Sequence, residues 1–253
     1  YYDTPDFEMF TIHHNKKLVY INLNSMIHEN DLLIVKSYFE FLQSVDIDGI
    51  VIFDWSYYPI AKNYGLESKL IFQPGTLTTN LYDPWFYESK NIKGITLARE
   101  ITLDSISTII QNKKNIELSI VGHGFQPMFY SRRPLIKNFL LEKNLTEPFY
   151  NRTDLYIEET TRENSQYPIF EDKFGTHIFR CKKLESFKEI MYFKSYISDF
   201  FIERFMLSDE ELFDSLKTYQ CPSLVTFFHE KYNKQYDSGF YYKQTNLRPE
   251  VKE

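Results

Sequence analysis

From Lys93 to Gly124 the chain reads KGITLAREITLDSISTIIQNKKNIELSIVGHG. Its first part, KGITLARE (Lys93 to Glu100), is a short apolar run that closes on two charged residues. Its middle, TLDSISTIIQN (Thr102 to Asn112), opens on a threonine suited to cap a helix and carries apolar residues at Ile106, Ile109 and Ile110. Its end, IELSIVGHG (Ile116 to Gly124), is apolar again. A strand, a helix and a strand in this order form a crossover unit, so the two strands lie parallel. The same rhythm holds upstream. KLVYINLN (Lys17 to Asn24) reads as a strand. Asp31 to Val45 reads as a helix with Leu32, Val35, Phe39 and Leu42 on one face, and DGIVIFD (Asp48 to Asp54) and SKLIFQ (Ser68 to Gln73) are further strands.

Beyond Gly124 the rhythm stops. Residues 125 to 166 mix polar, aromatic and proline residues, and YPIFEDKFGTHIF (Tyr167 to Phe179) predicts a hairpin turning at Asp172 to Gly175. The pattern then resumes with a helix over Leu184 to Ser195 and a strand over Ser198 to Phe205. A second helix over Ser208 to Gln220 is opened by a Ser208 and Glu211 capping box. With no repeat or linker, the chain reads as a single domain, 1–253, with an insertion at 125–180.

The 253 residues are 43% hydrophobic and 25% charged, enough for a packed core and a length that suits one α/β barrel of about 250 residues. No run approaches 18 uncharged apolar residues, and YYDTPDF lacks the character of a signal peptide, which excludes membrane spans and secretory leaders. The first residue is Tyr rather than Met, which points to an upstream piece outside the numbering. The chain has 23 Phe and 20 Tyr but only two alanines, Ala61 and Ala98, a skew that fits an A/T-rich bacterial genome. Cys181 and Cys221 are too few for a disulfide framework or a four-thiolate metal site, which suits a reducing cytoplasm. A net charge of -6 argues against a protein that coats nucleic acid non-specifically.

Taken in order, LVYINLNSMIHENDL, DIDGIVIFD, TTN (Thr78 to Asn80), GITLAREITLDSI, ELSIVGHGFQPMFYSRRPLI, YPIFEDKFGTHIF and DSGFYYKQT (Asp237 to Thr245) resemble the collagenase-like peptidase family, the thirty-second among peptidases of unknown mechanism. The YPIFED and GTHI block is closest to a short subgroup from low-GC Gram-positive bacteria and their wall-less relatives. The resemblance implies a TIM-like (β/α) barrel that lacks its first strand in this chain, YYDTPDFEMFTI offering no counterpart, with an insertion and β-hairpin after the sixth strand. Members of the family take part in 5-hydroxylation of a tRNA wobble uridine using prephenate, or of a ribosomal RNA cytidine, and in oxygen-independent quinone hydroxylation. Hydroxylating relatives carry iron-sulfur ligands where this chain has Pro127 and Pro134. The resemblance therefore implies a cytoplasmic binding or scaffold subunit without its own cluster, taking a small dicarboxylate such as prephenate. Its partners would be a cluster-bearing paralogue and tRNA or rRNA, with no membrane. A peptidase or collagenase-like hydrolase, and a non-catalytic assembly protein, remain the alternatives.

In a β/α barrel the functional groups gather where strands end. The polar strand-end residues are Asn22 and Asn24, Asp54, Gln73 with Asn80 just beyond, Arg99 and Glu100, and His123, with His28 in a nearby loop. Asp54, Glu100 and His123 are the candidate catalytic groups, while Asn24 and Arg99 are candidate substrate contacts. Arg99 and Glu100 read equally as a buried ion pair, and His123 as a satisfied structural histidine. Between His123 and Arg152 the chain carries Arg132, Arg133, Lys137, Lys143 and Arg152 against Glu142 and Glu147, five minus two, or +3 within an acidic protein. Arg132, Arg133 and Lys137 with Tyr130 are the expected grip on phosphates and a base, the alternative being a solvated loop. No metal is expected: HEKYN (His229 to Asn233) has Asn233 where a zinc-protease motif needs its second histidine.

Overall fold

Parallel strands alternate with helices through the first half of the chain: β1 (Tyr20–Leu23), α1 (Leu32–Leu42), β2 (Gly49–Ile52), α2 (Tyr57–Asn63), β3 (Leu70–Phe72), α3 (Tyr82–Glu88), β4 (Gly94–Thr96), α4 (Leu103–Asn112) and β5 (Glu117–His123). The second half supplies β6 (Pro127–Ser131), α5 (Leu135–Glu142), β7 (Tyr156–Glu158), β8 (Gln166–Asp172), β9 (Gly175–Phe179), β10 (Lys183–Leu184), α6 (Ile190–Phe193), β11 (Asp199–Ile202), α7 (Asp209–Gln220), α8 (Val225–Lys231) and β12 (Tyr236–Asp237). This computed structural model describes residues 17–160, 165–232 and 234–243. The YYDTPDFEMFTI segment and Asn233 lie outside the described residues. The chain divides into two compact units. Unit 1 takes the described residues up to Ile120 together with Ser195–Asp199; unit 2 takes Val121–Lys194 and the described residues from Phe200 onward.

Six strands form one parallel sheet in the order β1-β2-β3-β4-β5-β11. Strands of a parallel sheet are buried on both faces and so read as continuous apolar runs. Ile50, Ile52, Leu70, Ile71, Ile95 and Leu118 are accordingly fully buried, as are Val35 and Phe39 of α1 and Ile109 of α4. Helix α4 begins as expected, Thr102 Oγ1 accepting from the Ser105 N–H at 3.2 Å. The sheet curls. Tyr20 on β1, at one end of the strand order, donates its hydroxyl hydrogen to Asp199 Oδ1 on β11, at the other end, at 2.9 Å. The result is a mixed α/β fold built on a curled parallel sheet of six strands, β1 and β11 standing at the two ends of its hydrogen-bonding order.

In unit 2, residues 127–179 fold into an antiparallel sheet of order β6-β9-β8-β7 with α5 on the β6–β7 connection. The hairpin turns where the sequence predicts, Asp172 pairing with Gly175, and the Phe174 N–H donating to Asp172 Oδ1 at 2.8 Å. Gly175 has φ +129, and a Cβ there would lie 2.1 Å from the Ser131 carbonyl oxygen, so only glycine fits where the hairpin crosses β6. Gly124 after His123 is constrained in the same way, at φ +104 with a would-be Cβ 2.5 Å from the Glu203 carbonyl oxygen.

Two expectations change here. The helix expected over Leu184 to Ser195 is limited to Ile190–Phe193. Lys183 and Leu184 instead pair with Tyr236 and Asp237, and the Glu185 N–H donates to the Asp237 carbonyl at 3.0 Å, so these backbone groups are already committed. The capping box of α7 forms by half. Ser208 Oγ accepts from the Glu211 N–H at 3.1 Å, but the Glu211 carboxylate turns inward to Lys183 Nζ and to the Tyr236 hydroxyl at 2.6 Å.

Candidate nucleic-acid interface

In unit 1 the strand register fixes where the expected site residues stand. Leu23 pairs with Ile52, Ile52 with Phe72 and Phe72 with Ile95, so Asn24, Asp54, Gln73, Arg99 and Glu100 all follow the carboxyl ends of neighbouring parallel strands. Asn22, Asn24, Asn80 and Glu100 are exposed, while Asp54, Gln73 and Arg99 are half-buried. Asp54 organises its own loops: Oδ2 accepts from the Ile27 N–H at 3.1 Å and Oδ1 from the Ser56 N–H at 2.8 Å. Asn80 Oδ1 accepts from the Tyr82 N–H at 2.9 Å, and Gln73 Nε2 lies 3.4 Å from Thr96 Oγ1. The Arg99 N–H donates to the Gly75 carbonyl at 3.2 Å and that of Ala98 to Thr78 at 2.9 Å, which ties the loop after β4 to the loop after β3. His28 heads the short turn before α1, with its N–H on Asp31 Oδ2 at 2.9 Å.

His123 belongs to unit 2, where it is fully buried among Phe187, Tyr219, Phe228 and Tyr236. Its Nδ1 lies 3.2 Å from the Tyr219 hydroxyl and its Nε2 2.9 Å from Ser215 Oγ. Burial first, and then the charge of Lys183, lower its pKa to about 3, so the ring is neutral. A serine beside a histidine invites comparison with a nucleophile and its base, but the proton order runs the other way. Ser215 Oγ donates to the Glu211 carbonyl at 2.8 Å, leaving it to accept from His123 Nε2–H, while Nδ1 accepts from Tyr219. This assignment follows from the 2.8 Å bond to the Glu211 carbonyl, which uses the single proton of the Ser215 hydroxyl. Both ring nitrogens of His123 are therefore engaged inside the core.

The insertion gathers a different set of groups. A groove of about 370 Å³ is lined by Arg132, Lys137 and Lys173, by Phe149 and Tyr150, and by Pro134, Glu171, Asp172 and Gly175. Its floor explains why α5 starts at Leu135. The Glu171 carboxylate, 1% exposed, accepts from the N–H groups of Ile136 at 2.8 Å and Lys137 at 3.2 Å, and Thr176 Oγ1 lies 2.5 Å from it. That carboxylate is spent on the helix N-terminus, which leaves three cations, two aromatic rings and the Asp172 carboxylate around the groove. Of the residues expected on this loop, Arg132 and Lys137 line the groove. Arg133 is exposed outside its lining, and Tyr130 is anchored in the hairpin, donating its hydroxyl hydrogen to the Phe174 carbonyl at 2.7 Å with its ring 4.8 Å from that of His177. The aromatics that reach the groove are Phe149 and Tyr150. Sequence reading missed them and Lys173, because they come from separate segments that share no motif.

The donor set for an iron-sulfur cluster does not fit. Pro127 and Pro134 offer no ligand atom, Cys181 and Cys221 are exposed free thiols, and no group of three or more His, Cys, Asp or Glu among the described residues is arranged to hold a metal ion. No helix among the described residues is long and apolar enough to cross a membrane.

Polar residues after the carboxyl ends of parallel strands, joined in sequence to a hairpin insertion with a basic, aromatic groove, describe a mixed α/β protein built on a curled parallel sheet. The family is fixed by comparison: the chain belongs to peptidase family U32, whose profile matches residues 8–247. The tRNA hydroxylation protein P2 of Bacillus subtilis (strain 168) is 27% identical over 251 residues, spanning 90% of this chain and 80% of that protein. An uncharacterized protease of Methanocaldococcus jannaschii is 26% identical over 257 residues, spanning 92% of this chain and 61% of that protein. No solved structure matches the chain.

Proposed function

We propose that the protein is a binding or scaffold subunit in RNA 5-hydroxylation, acting in the cytoplasm on a tRNA wobble uridine, with the groove of unit 2 as its RNA contact. The observation that carries this reading is the convergence of Arg132, Lys137 and Lys173 with Phe149 and Tyr150 around one groove in a chain of net charge -6. Cations grip phosphates, and a neighbouring aromatic ring stacks on an unpaired base. Membership of a family with a relative named for tRNA hydroxylation supports RNA over other polyanions. The prolines at 127 and 134 support a division of labour in which a cluster-bearing paralogue supplies the redox chemistry. On the same reading the curled sheet is the larger part of a TIM-like barrel. Asn24, Asp54, Arg99 and Glu100 then take a small dicarboxylate at its strand ends, Arg99 supplying the fork. The buried, neutral His123 speaks for a structural role in this scheme and against a hydrolase that would use it as a base.

Titration of tRNA against the wild type and against Arg132→Ala, Lys137→Ala and Lys173→Ala at two salt concentrations tests the contact. Each lost phosphate contact is expected to weaken binding by about 1 kcal/mol and to flatten the salt slope by about one unit. Unchanged affinity and slope in all three variants would return the groove to the role of a solvated surface. Nucleoside mass spectrometry of tRNA and rRNA from a strain lacking the protein tests the pathway independently, through loss of the 5-hydroxylated nucleoside.

A further inference from the structure

The groove of unit 2 carries one carboxylate that the start of α5 does not use. Glu171 is committed to the N–H groups of Ile136 and Lys137, whereas its neighbour Asp172, also in the lining, has only one oxygen engaged. Asp172 Oδ1 accepts from the Phe174 N–H at 2.8 Å, which closes the hairpin turn and sets the direction of the carboxylate. The side chain is 15% exposed, and no described residue donates to Oδ2. His177 Nε2 stands 4.0 Å from Oδ1, beyond hydrogen-bond reach, and burial lowers the His177 pKa against the pull of Asp172, so that ring carries no charge at neutral pH. Lys173, next along the chain, sets its ammonium over the Phe174 ring, 5.3 Å from the centre. An anion in this place opposes phosphate, and what it favours is a group that donates.

The aromatic wall is built beside it. The Asn151 N–H donates to the Glu171 carbonyl at 3.0 Å, which brings Phe149 and Tyr150 to the end of β8. Their ring centres lie 6.5 Å apart at 86°, an edge-on corner in which Tyr150, 52% exposed, offers a face for stacking. At about 370 Å³ the groove is near the lower end of ligand sites, about 300–1,000 Å³, with room for one nucleotide and not for paired strands. A base stacked on such a wall presents its Watson–Crick edge, and a carboxylate only accepts. Guanine offers two adjacent N–H donors on that edge. Adenine and cytosine offer an amino group beside an acceptor nitrogen, and uracil offers one N–H between two carbonyl oxygens that a carboxylate repels.

We propose that Asp172 selects an unpaired guanine in the groove, accepting from its N–H donors while the aromatic rings hold the base and the cations hold its phosphate. This selection rests on the groove being an RNA contact. It makes the groove a recognition pocket for a guanine of the RNA, distinct from the place where a uridine is modified.

Fluorescence anisotropy of labelled UUGUU, UUAUU, UUCUU and UUUUU titrated with the full chain, and with Asp172→Asn and Lys137→Ala, tests the proposal. The wild type is expected to bind UUGUU about tenfold more tightly than UUUUU, with UUAUU and UUCUU between them. Asp172→Asn keeps an oxygen for the Phe174 N–H but puts a donor in place of Oδ2, so it should abolish the preference for UUGUU and tighten the binding of UUUUU, whose carbonyls accept from the new donor. Asp172→Ser, whose hydroxyl also accepts from that N–H, takes its place if Asp172→Asn does not melt cooperatively near the wild-type Tm. Lys137→Ala should weaken all four RNAs alike, because a phosphate contact carries no sequence. Equal wild-type affinity for the four RNAs, or an unchanged ranking in the Asp172 variant, would overturn the selection and leave the RNA contact standing. Binding of none of the four by the wild type would overturn both.

Discussion

The deepest positions of unit 1 and unit 2 are filled by different chemistry. In unit 1 they are mostly apolar, Ile50, Ile52, Leu70, Ile71, Ile95 and Leu118, with only the small hydroxyls of Thr78 and Ser119 as deep; in unit 2 Phe193 and Phe228 share the interior with His123, Ser186, Thr176, Ser215 and, almost as deep, the charged Lys183 and Glu211 pair. An apolar core is specified redundantly, because any residue of about the right volume keeps the strand buried. A buried polar network is specified member by member. Lys183 Nζ meets Glu211 and Gln235 Oε1, Glu211 meets the Tyr236 hydroxyl, and Ser215 bonds both His123 and the backbone of its own helix. Removing one member leaves another charged or polar atom buried without its partner. Unit 1 should therefore tolerate substitution gradually, and unit 2 should fail at single residues.

The largest effect is expected at Lys183→Met. It strands the Glu211 carboxylate in the interior and should destabilise unit 2 by about 3–5 kcal/mol in denaturant unfolding, with much of the loss recovered when Glu211→Leu is added. If the single change costs under about 1 kcal/mol, the contrast between the two cores fails. Ile95→Ala, in the middle of the sheet, should cost about 2–4 kcal/mol with no second-site rescue of that kind.

The pH dependence separates the units more finely. His123 has its folded pKa lowered to about 3, below the ordinary value near 6.5. Between those values the unfolded chain binds a proton that the folded chain refuses. Stability from this residue is therefore complete above about pH 6.5 and is lost as the pH falls toward 3, with a slope of up to about 1.4 kcal/mol per pH unit. His123→Gln should flatten that slope in acid unfolding curves, and an unchanged slope would mean that the ring is not held neutral. The smallest effects are at the two helix caps, one in each unit. Thr102→Ala and Ser208→Ala should each cost about 1 kcal/mol by thermal unfolding, and near-equality is informative because caps are local and indifferent to the core beneath them.

The same contrast governs what the sequence discloses. The strands of unit 1 and the Thr102 cap are legible because the parallel sheet needs unbroken apolar runs and the cap needs a neighbour only three residues away. Helices α2 and α3 escape notice because Pro59 and Pro84 punctuate them, although both prolines sit in a first turn, where no N–H is required. Helix α5 has no local start signal at all. Its cap is Glu171, 35 residues beyond the Ile136 N–H it accepts from. Charged residues such as Lys183 and Glu211 read as surface in any local pattern, and the deep position of His123 depends on aromatic residues that arrive up to 113 positions later, at Tyr236. The strand-end residues are legible by position, but the groove is legible only for Arg132 and Lys137, since Phe149, Tyr150 and Lys173 join them through the hairpin.

Asp199 gives the chain a schedule. It receives the Tyr20 hydroxyl hydrogen at 2.9 Å and lies 3.5 Å from Ser119 Oγ, so an acceptor for the first described strand is encoded 179 residues after its donor. During synthesis β1 to β5 emerge in neighbour order and can pair as they appear, yet the Tyr20 hydroxyl waits while all of residues 121–194 are made. The five residues Ser195–Asp199 then return to the unit that preceded them. A ribosome paused between Ile120 and Ser195 thus holds a sheet in which the Tyr20 hydroxyl, the Ser119 hydroxyl and the Leu118 carbonyl are still unanswered, and the last partner to arrive acts as a clasp that completes the first unit only after most of the second has been translated.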